Sequence, residues 1–257
     1  MTNMDRSSRD RFRTFLKDTV RQKVDFNNTD QNRGIAPPPL EKPIPAGAQC
    51  IDLVPAEKLR DISVMDVFTA IAHRRSRRAF NPVPLTLKEL SFLLWATQGV
   101  RKIAAPGTAF RVVPSAGCRH ALETYLCAFD VAGLGEGIYR YLPVEHQLLL
   151  VSQPAHLSSR ISEAALGQDF VGKSAVTFIW TAIPYRMEWR YDIAAHKVIA
   201  IDAGHVCQNL YISCEAIHAA TCAVAAYDQE LIDDLLGVDG TEEFTIYLAP
   251  VGKGKGD

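Results

Sequence analysis

The sequence lacks long apolar runs and lacks an excess of charge of either sign. No stretch reaches the roughly 18 consecutive apolar residues of a membrane-spanning helix, and no apolar block follows the charged N-terminus as a secretory signal requires. The 28 Lys and Arg residues are balanced by 29 Asp and Glu residues, which argues against a nucleic-acid binder. We therefore expect a cytoplasmic protein with no membrane and no nucleic-acid partner.

Two common sequence motifs are also missing. The six cysteines form no Cys-x-x-Cys pair, which disfavours a zinc site, and no Gly-x-Gly-x-x-Gly motif is present. The glycine-rich stretch 133–137 leads into a strand rather than a helix, so it indicates a turn. Cys207 and Cys214 lie two helical turns apart on an apolar face, which is typical of free buried thiols. We expect neither a bound metal nor a dinucleotide site at this stretch.

The composition favours a folded protein with an N-terminal extension. With 257 residues and 47% hydrophobic residues, the chain is long enough to bury a sizeable core. Residues 5–23 predict an amphipathic helix, and the polar and proline-rich tract 25–45 predicts an extended arm or linker. We divide the chain into this arm, residues 1–50, and a domain over residues 51–257.

A basic cluster follows a short predicted helix. Residues 63–72 predict that helix, with Ser63 as its N-cap. Arg74, Arg75, Ser76, Arg77 and Arg78 come directly after it. Arginine forks and a hydroxyl suit a phosphate monoester, and adjacent guanidinium groups repel one another unless an anion lies among them. The alternative is a solvated basic run that complements the helix dipole.

The remaining pattern predicts a mixture of helices and strands. Two runs of small residues, 114–118 and 223–226, would let the backbone approach a planar ligand closely, and a tight turn is the alternative for the first run. Asp202 is a candidate N-cap of the helix that follows it. The predicted helices are 86–97, 154–166, 206–219 and 229–236, and the predicted strands are 122–130, 139–141, 147–152, 175–183 and 244–249.

Five motifs in this order resemble the nitroreductase family of flavoproteins, in particular its SagB-like dehydrogenase branch. The resemblance spans roughly residues 62–253. The motifs are 74–80, 113–117, 166–170, 202–210 and 251–253.

The resemblance implies an α+β fold with a central, mostly antiparallel sheet flanked by helices, and FMN bound noncovalently at a homodimer interface. The family pattern assigns a phosphate site, two surfaces against the flavin ring and one hydrogen-bond partner. The phosphate residues are Arg74, Arg75, Ser76, Arg78, Lys253 and Lys255; the ring surfaces are Pro114, Ser115, Ala116 and Gly117 on one side and Ala223, Val224, Ala225 and Ala226 on the other; the hydrogen-bond partner is Gln168.

The activity implied is that of an FMN-dependent oxidoreductase. Hydride would pass through flavin N5 between NAD(P)H or a small organic substrate and an acceptor such as a nitro or quinone compound. Two alternatives are a flavin-binding accessory module of a peptide-modifying, azoline dehydrogenase-like assembly, and a flavin-binding protein without turnover.

Arg190 and Tyr191 are the candidate catalytic residues. They stand where azoline-oxidising relatives have a Lys-Tyr pair. Arginine is not deprotonated in proteins and so cannot act as a general base, whereas Tyr191 could donate a proton or orient a substrate. The alternative for Tyr191 is a half-buried aromatic at the end of a strand.

Overall fold

A seven-stranded antiparallel sheet forms the centre of the protein. The structure, a computed structural model, describes residue 10 and residues 12–254. The strands of the sheet are β1 (Cys50–Asp52), β5 (Leu122–Ala128), β7 (Gly137–Leu142), β8 (Gln147–Ser152), β9 (Val176–Ala182), β10 (Ala219–Thr221) and β11 (Phe244–Lys253). Their order is β1-β8-β7-β5-β9-β11-β10, with every neighbouring pair antiparallel. Two small sheets accompany it: β2 (Leu85–Thr86) pairs with β6 (Val131–Ala132), and β3 (Val100–Ala105) pairs with β4 (Thr108–Arg111).

Helices cover both faces of the sheet. They are α1 (Val67–His73), α2 (Leu87–Gln98), α3 (Leu157–Ala164), α4 (Tyr185–Tyr191), α5 (Ala195–Ala216) and α6 (Gln229–Leu236). Alternate residues of β9 point to opposite faces: Phe178 and Trp180 lie in the core with α2 and α5, and Ile179 lies in the core with α3 and α6. The predicted buried strand and the α+β fold are confirmed.

Local capping signals place two helices as predicted. Thr86 and Glu89 form a capping box at the start of α2, with each side chain hydrogen-bonded to the other residue's backbone N–H. Asp228 caps α6, and Gly237 ends it in the left-handed conformation at φ 71°.

Two predicted N-caps are wrong. Helix α1 begins after Asp66, whose carboxylate accepts the Thr69 N–H at 2.9 Å, and Ser63 lies outside the helix. Helix α5 begins at Ala195, so Asp202 lies within its third turn. The large apolar residues of α1 do not enter the core: Val67, Phe68 and Ile71 are 70%, 81% and 58% exposed, whereas Ala70 is buried.

The N-terminal arm lies against the sheet. Buried arginines bind its backbone: Arg111 Nη2 donates to the Leu40 carbonyl at 3.0 Å, and Arg140 Nη2 donates to the Pro43 carbonyl at 2.9 Å. The backbone N–H of Lys42 donates to Glu123 at 3.0 Å. The described part of the predicted amphipathic helix includes two short 3-10 helices, Thr14–Leu16 and Asp18–Lys23, and residues 1–9 and 11 lie outside the described residues.

Candidate functional site

Tyr211 of α5 joins the arginine segment to the second run of small residues. The Arg74 guanidinium lies 5.2 Å from the centre of the Tyr211 ring, and Ser76 Oγ lies 2.9 Å from the Tyr211 hydroxyl. That hydroxyl also accepts the backbone N–H of Ala223 at 2.8 Å. We call Arg74, Ser76 and Arg78, with Tyr211, the arginine site.

The cations at this site differ in whether a carboxylate neutralises them. Arg77 pairs with Glu215 of α5, and its backbone N–H donates to the Thr221 carbonyl at 2.9 Å. Arg74 and Arg78 make no ion pair with any carboxylate in the described part of the chain; Arg78 instead lies 5.8 Å from the centre of the Phe170 ring. Two guanidinium groups among the described residues are therefore left without a carboxylate partner here, as an anion site requires.

Lys253 is close to the arginine segment but is already paired. Its ammonium group contacts the Glu89 carboxylate, and its carbonyl accepts the Asn81 N–H at 2.9 Å. Burial of Glu89 raises its pKa, but hydrogen bonds from Lys253 and Thr86 outweigh burial and lower the pKa below its usual value. Lys255, the other predicted lysine, lies outside the described residues.

The Gln168 side chain holds the second run of small residues by a hydrogen bond to its backbone. Its amide nitrogen donates to the carbonyls of Ala165 and Ala226, each at 2.9 Å. Ala225 and Ala226 are exposed, whereas Val224 is 4% exposed and bridges to Leu248. Ala223, Ala225 and Ala226 can therefore present backbone to a ligand, and the Val224 side chain belongs to the core.

The first run of small residues lies beside the buried carboxyl group of Asp202. Hydrogen bonds to this carboxyl from the Ser115 hydroxyl and the Ala116 N–H lower its pKa, but burial prevails and raises the pKa above its usual value. Oδ2 of Asp202 has no hydrogen-bond partner. Pro114 and Gly117 are exposed. We call residues 114–117 the platform.

Gly117 is required at the edge of the platform for two reasons. Its φ is 57°, a left-handed conformation that disfavours other residues. A Cβ added there would lie 2.6 Å from the Tyr191 hydroxyl and 2.8 Å from Arg190 Cδ. The structure thus brings both predicted catalytic residues to the platform. Tyr191 ends helix α4, so the prediction of a strand end was wrong.

The arginine site and the platform lie on opposite sides of α5. Asp202 contacts the platform and Tyr211 contacts the arginine site, and these residues are nine positions apart. At 100° per residue, nine positions turn the helix by about 180°, and at 1.5 Å per residue they separate the two positions by about 13 Å.

The sequence did not predict the residues that connect these parts. Tyr211, Glu215 and Gln31 were missed, because each acts through a contact with a distant part of the chain; the Gln31 side-chain oxygen accepts from Arg190 Nη1 at 3.1 Å. One signal was available: Asp202 is a carboxylate among apolar helical positions, which indicates a specific polar partner.

The chain belongs to the nitroreductase family, whose sequence profile matches residues 71–253. It is 31% identical over 196 residues to a protein of Methanocaldococcus jannaschii that is named as a nitroreductase, covering 76% of this chain and 95% of that protein. A solved structure from Ralstonia eutropha JMP134, also named as a nitroreductase, superposes with a TM-score of 0.65 at 24% identity, covering 86% of this chain and 99% of that one.

Other similar proteins come from processing systems. The trifolitoxin-processing protein TfxB of Rhizobium leguminosarum bv. trifolii is 23% identical over 154 residues, covering 58% of this chain and 41% of TfxB. A chain of the Escherichia coli microcin synthetase McbBCD complex has the same fold, with a TM-score of 0.59 at 17% identity, covering 84% of this chain and 85% of that one. Within the described residues, no helix is both long and apolar enough to cross a membrane.

Proposed function

We propose that the protein is an FMN-dependent oxidoreductase acting on NAD(P)H or a small organic substrate. The observation that carries this proposal is the arginine site, where Arg74 and Arg78, two arginines without carboxylate partners among the described residues, flank Ser76 in the chain and Arg74 shares Tyr211 with it. Arg74 and Arg78 would bind the phosphate with Ser76, and Arg75 extends the same segment. Lys253 would join them by exchanging its Glu89 partner for the phosphate.

The two runs of small residues suit the flat ring of the same cofactor. The exposed Pro114 and Gly117 of the platform present little side-chain bulk, and any Cβ at Gly117 would meet Tyr191 and Arg190. Ala225 and Ala226 present a second exposed backbone surface, which Gln168 holds through the Ala226 carbonyl. A direct hydrogen bond between Gln168 and the flavin stays a prediction. The amide nitrogen of Gln168 already donates to two carbonyl groups in this structure.

The positions of the two surfaces favour a homodimer. Because the arginine site and the platform lie on opposite sides of α5, one chain is poorly arranged to enclose both ends of one FMN. A second copy could bring its platform to the first copy's arginine site. Helix α1, which exposes Val67, Phe68 and Ile71, contacts α5, which exposes Ile201. A dimer could cover these apolar side chains.

When bound, FMN supplies hydride acceptance and donation at N5, and the protein supplies position and charge. Asp202 would hold the platform in place through Ser115 and Ala116. Arg190 provides a positive charge beside the platform, and the Tyr191 hydroxyl beside Gly117 can donate a proton to a reduced acceptor. No general base is needed for this role.

Anaerobic titration of the FMN-loaded protein with NADH and with NADPH tests the proposal. We expect one of the nucleotides to bleach the visible absorbance of the bound flavin, and a nitro or quinone compound to restore it. Bound flavin that neither nucleotide reduces, and that no organic substrate reduces, would contradict the proposal and favour a flavin-binding protein without turnover.

Similarity to TfxB favours a second candidate, a flavin-binding accessory module of a peptide-modifying assembly. The Arg190-Tyr191 pair argues against azoline oxidation that depends on a lysine base, because arginine does not deprotonate. This candidate predicts flavin reduction by an azoline-containing peptide in the presence of partner proteins, and no reduction by nicotinamide nucleotides alone.

A further inference from the structure

Two guanidinium groups lie close together beside the platform. Arg190 contacts the Gly117 position through Cδ and lies 5.5 Å from the centre of the Tyr191 ring. Arg119 is 6% exposed and lies 4.9 Å from the centre of the Trp189 ring. Burial first, and then the charge of Arg190, lower the pKa of Arg119. The positive charges of the two side chains therefore repel each other.

Every partner of these two arginines is neutral. Arg119 donates to the Gly107 carbonyl and, at 3.4 Å, to the Thr108 hydroxyl. Arg190 Nη1 donates to the side-chain oxygen of Gln31 at 3.1 Å. The Nε groups of both arginines are buried and have no partner, and neither arginine pairs with a carboxylate among residues 12–254.

The two acidic residues nearest to Arg190 in sequence have other partners. Glu188 binds His196 at 2.7 Å, and Asp192 accepts the N–H of Ile193 at 2.7 Å. Neither of them neutralises the arginine pair.

Another arginine of α4 does have a carboxylate partner. Arg186, one turn before Arg190, is 3% exposed and pairs with the buried carboxylate of Glu123. Burying a guanidinium group without a counter-charge is costly, and two adjacent ones cost more. Arg119 and Arg190 carry this cost at the edge of the candidate ring site, and Arg190 is partly exposed there.

We propose that Arg190, backed by Arg119, binds the carboxylate of an organic acid that lies over the platform. The arrangement selects a planar carboxylate because a guanidinium fork can bind both of its oxygens. This inference rests on the proposed function only where it makes the bound acid a redox substrate. Binding of the carboxylate itself requires no flavin.

Gln31 of the N-terminal arm is the positioning residue of this site. Its backbone N–H donates to the Trp189 carbonyl at 2.9 Å while its side chain accepts from Arg190. The arm is further attached at α4, where Tyr185 donates to Asp30 at 2.8 Å and Trp189 donates to the Ile35 carbonyl at 2.9 Å. A neutral amide orients the guanidinium without cancelling its charge. The arm precedes the family-matched residues, so this contact is a feature outside the shared core.

Calorimetric titration of the full-length protein with benzoate tests the inference, with the neutral analogue benzamide as the matched ligand. We expect benzoate to bind at least about tenfold more tightly than benzamide, and Arg190→Gln to weaken benzoate by about tenfold or more. Gln31→Glu should weaken benzoate similarly without lowering the melting temperature, because the new carboxylate would pair with Arg190. Arg160→Gln removes an exposed arginine of α3 and should change nothing.

Three results would overturn the inference: no benzoate binding by the wild-type protein, equal affinity for benzamide, or an affinity unchanged in Gln31→Glu. If Arg190→Gln does not fold, the benzoate affinity of Gln31→Glu still decides the test. Benzoate binding by a protein whose flavin is never reduced would refute only the proposed function. Flavin reduction by nucleotides with no benzoate binding would refute only this inference.

Discussion

At the scale of single residues, the sequence identifies the type of group at the site but not its partner. The arginine run predicts an anion site from residue types alone. It does not reveal that Glu215 neutralises Arg77 while Arg74 lies on an aromatic ring, because both partners come from the distant helix α5. The predicted Lys253 shows the same limit, since its Glu89 partner is known only from the fold.

Arg74 and Arg78 give the residue-scale prediction. The double variant Arg74→Ala with Arg78→Ala should bind FMN about 100-fold more weakly, because two charge-assisted hydrogen bonds to phosphate are lost. It should still fold, since each arginine contributes only a ring contact of about 0.5–1 kcal/mol. Fluorescence titration with FMN and a thermal melt measure the two effects.

The matched control removes two exposed cations away from the arginine site. Lys58→Ala with Arg160→Ala changes the net charge by the same amount and should leave FMN affinity unchanged. Normal flavin content in the arginine double variant would show that the phosphate lies elsewhere.

At the scale of elements, sequence signals predict a helix start correctly where the capping hydrogen bonds form between neighbouring residues. The capping box of Thr86 and Glu89 places α2 correctly because both hydrogen bonds form within one turn. Asp202 misleads for the opposite reason: it looks like an N-cap, yet it lies inside α5 and its carboxyl group faces Ser115 and Ala116 of a separate segment. No local rule distinguishes a cap from a buried carboxylate that holds another element.

Glu41 makes the attachment of the N-terminal arm depend on pH. It accepts the N–H of Val144 at 3.2 Å and lies beside Glu145 in the β7–β8 turn. Burial, and then the hydrogen bond with Glu145, raise the pKa of Glu41 from 4.5 to about 8. The folded state therefore binds more protons than the unfolded state between these values, so the free energy of unfolding falls as pH rises through this window.

We expect a slope of up to about 1.4 kcal/mol per pH unit in urea unfolding of the wild-type protein across this window. Glu41→Gln, which stays neutral, should flatten the slope, and Glu136→Gln at an exposed position should retain it. A slope that is unchanged in Glu41→Gln would assign the pH dependence to another group.

At the scale of the whole molecule, the buried strands could be predicted, but their order in the sheet could not. Continuous apolar residues identify β9, and its burial on both faces is confirmed. Its position between β5 and β11 depends on pairings between strands far apart in the sequence. Helix α1 shows a second limit. The spacing of its large apolar residues is typical of a helix that packs on the core, yet these residues are exposed in one chain.

Sedimentation velocity followed at the visible absorbance of flavin tests the central claim most directly. We predict that the FMN signal sediments with a species of twice the mass of one chain. Phe68→Glu, which places a charge in the exposed apolar face of α1, should shift the protein to the monomer and release the flavin. FMN that sediments with a monomer, or a dimer that binds no FMN, would contradict the account.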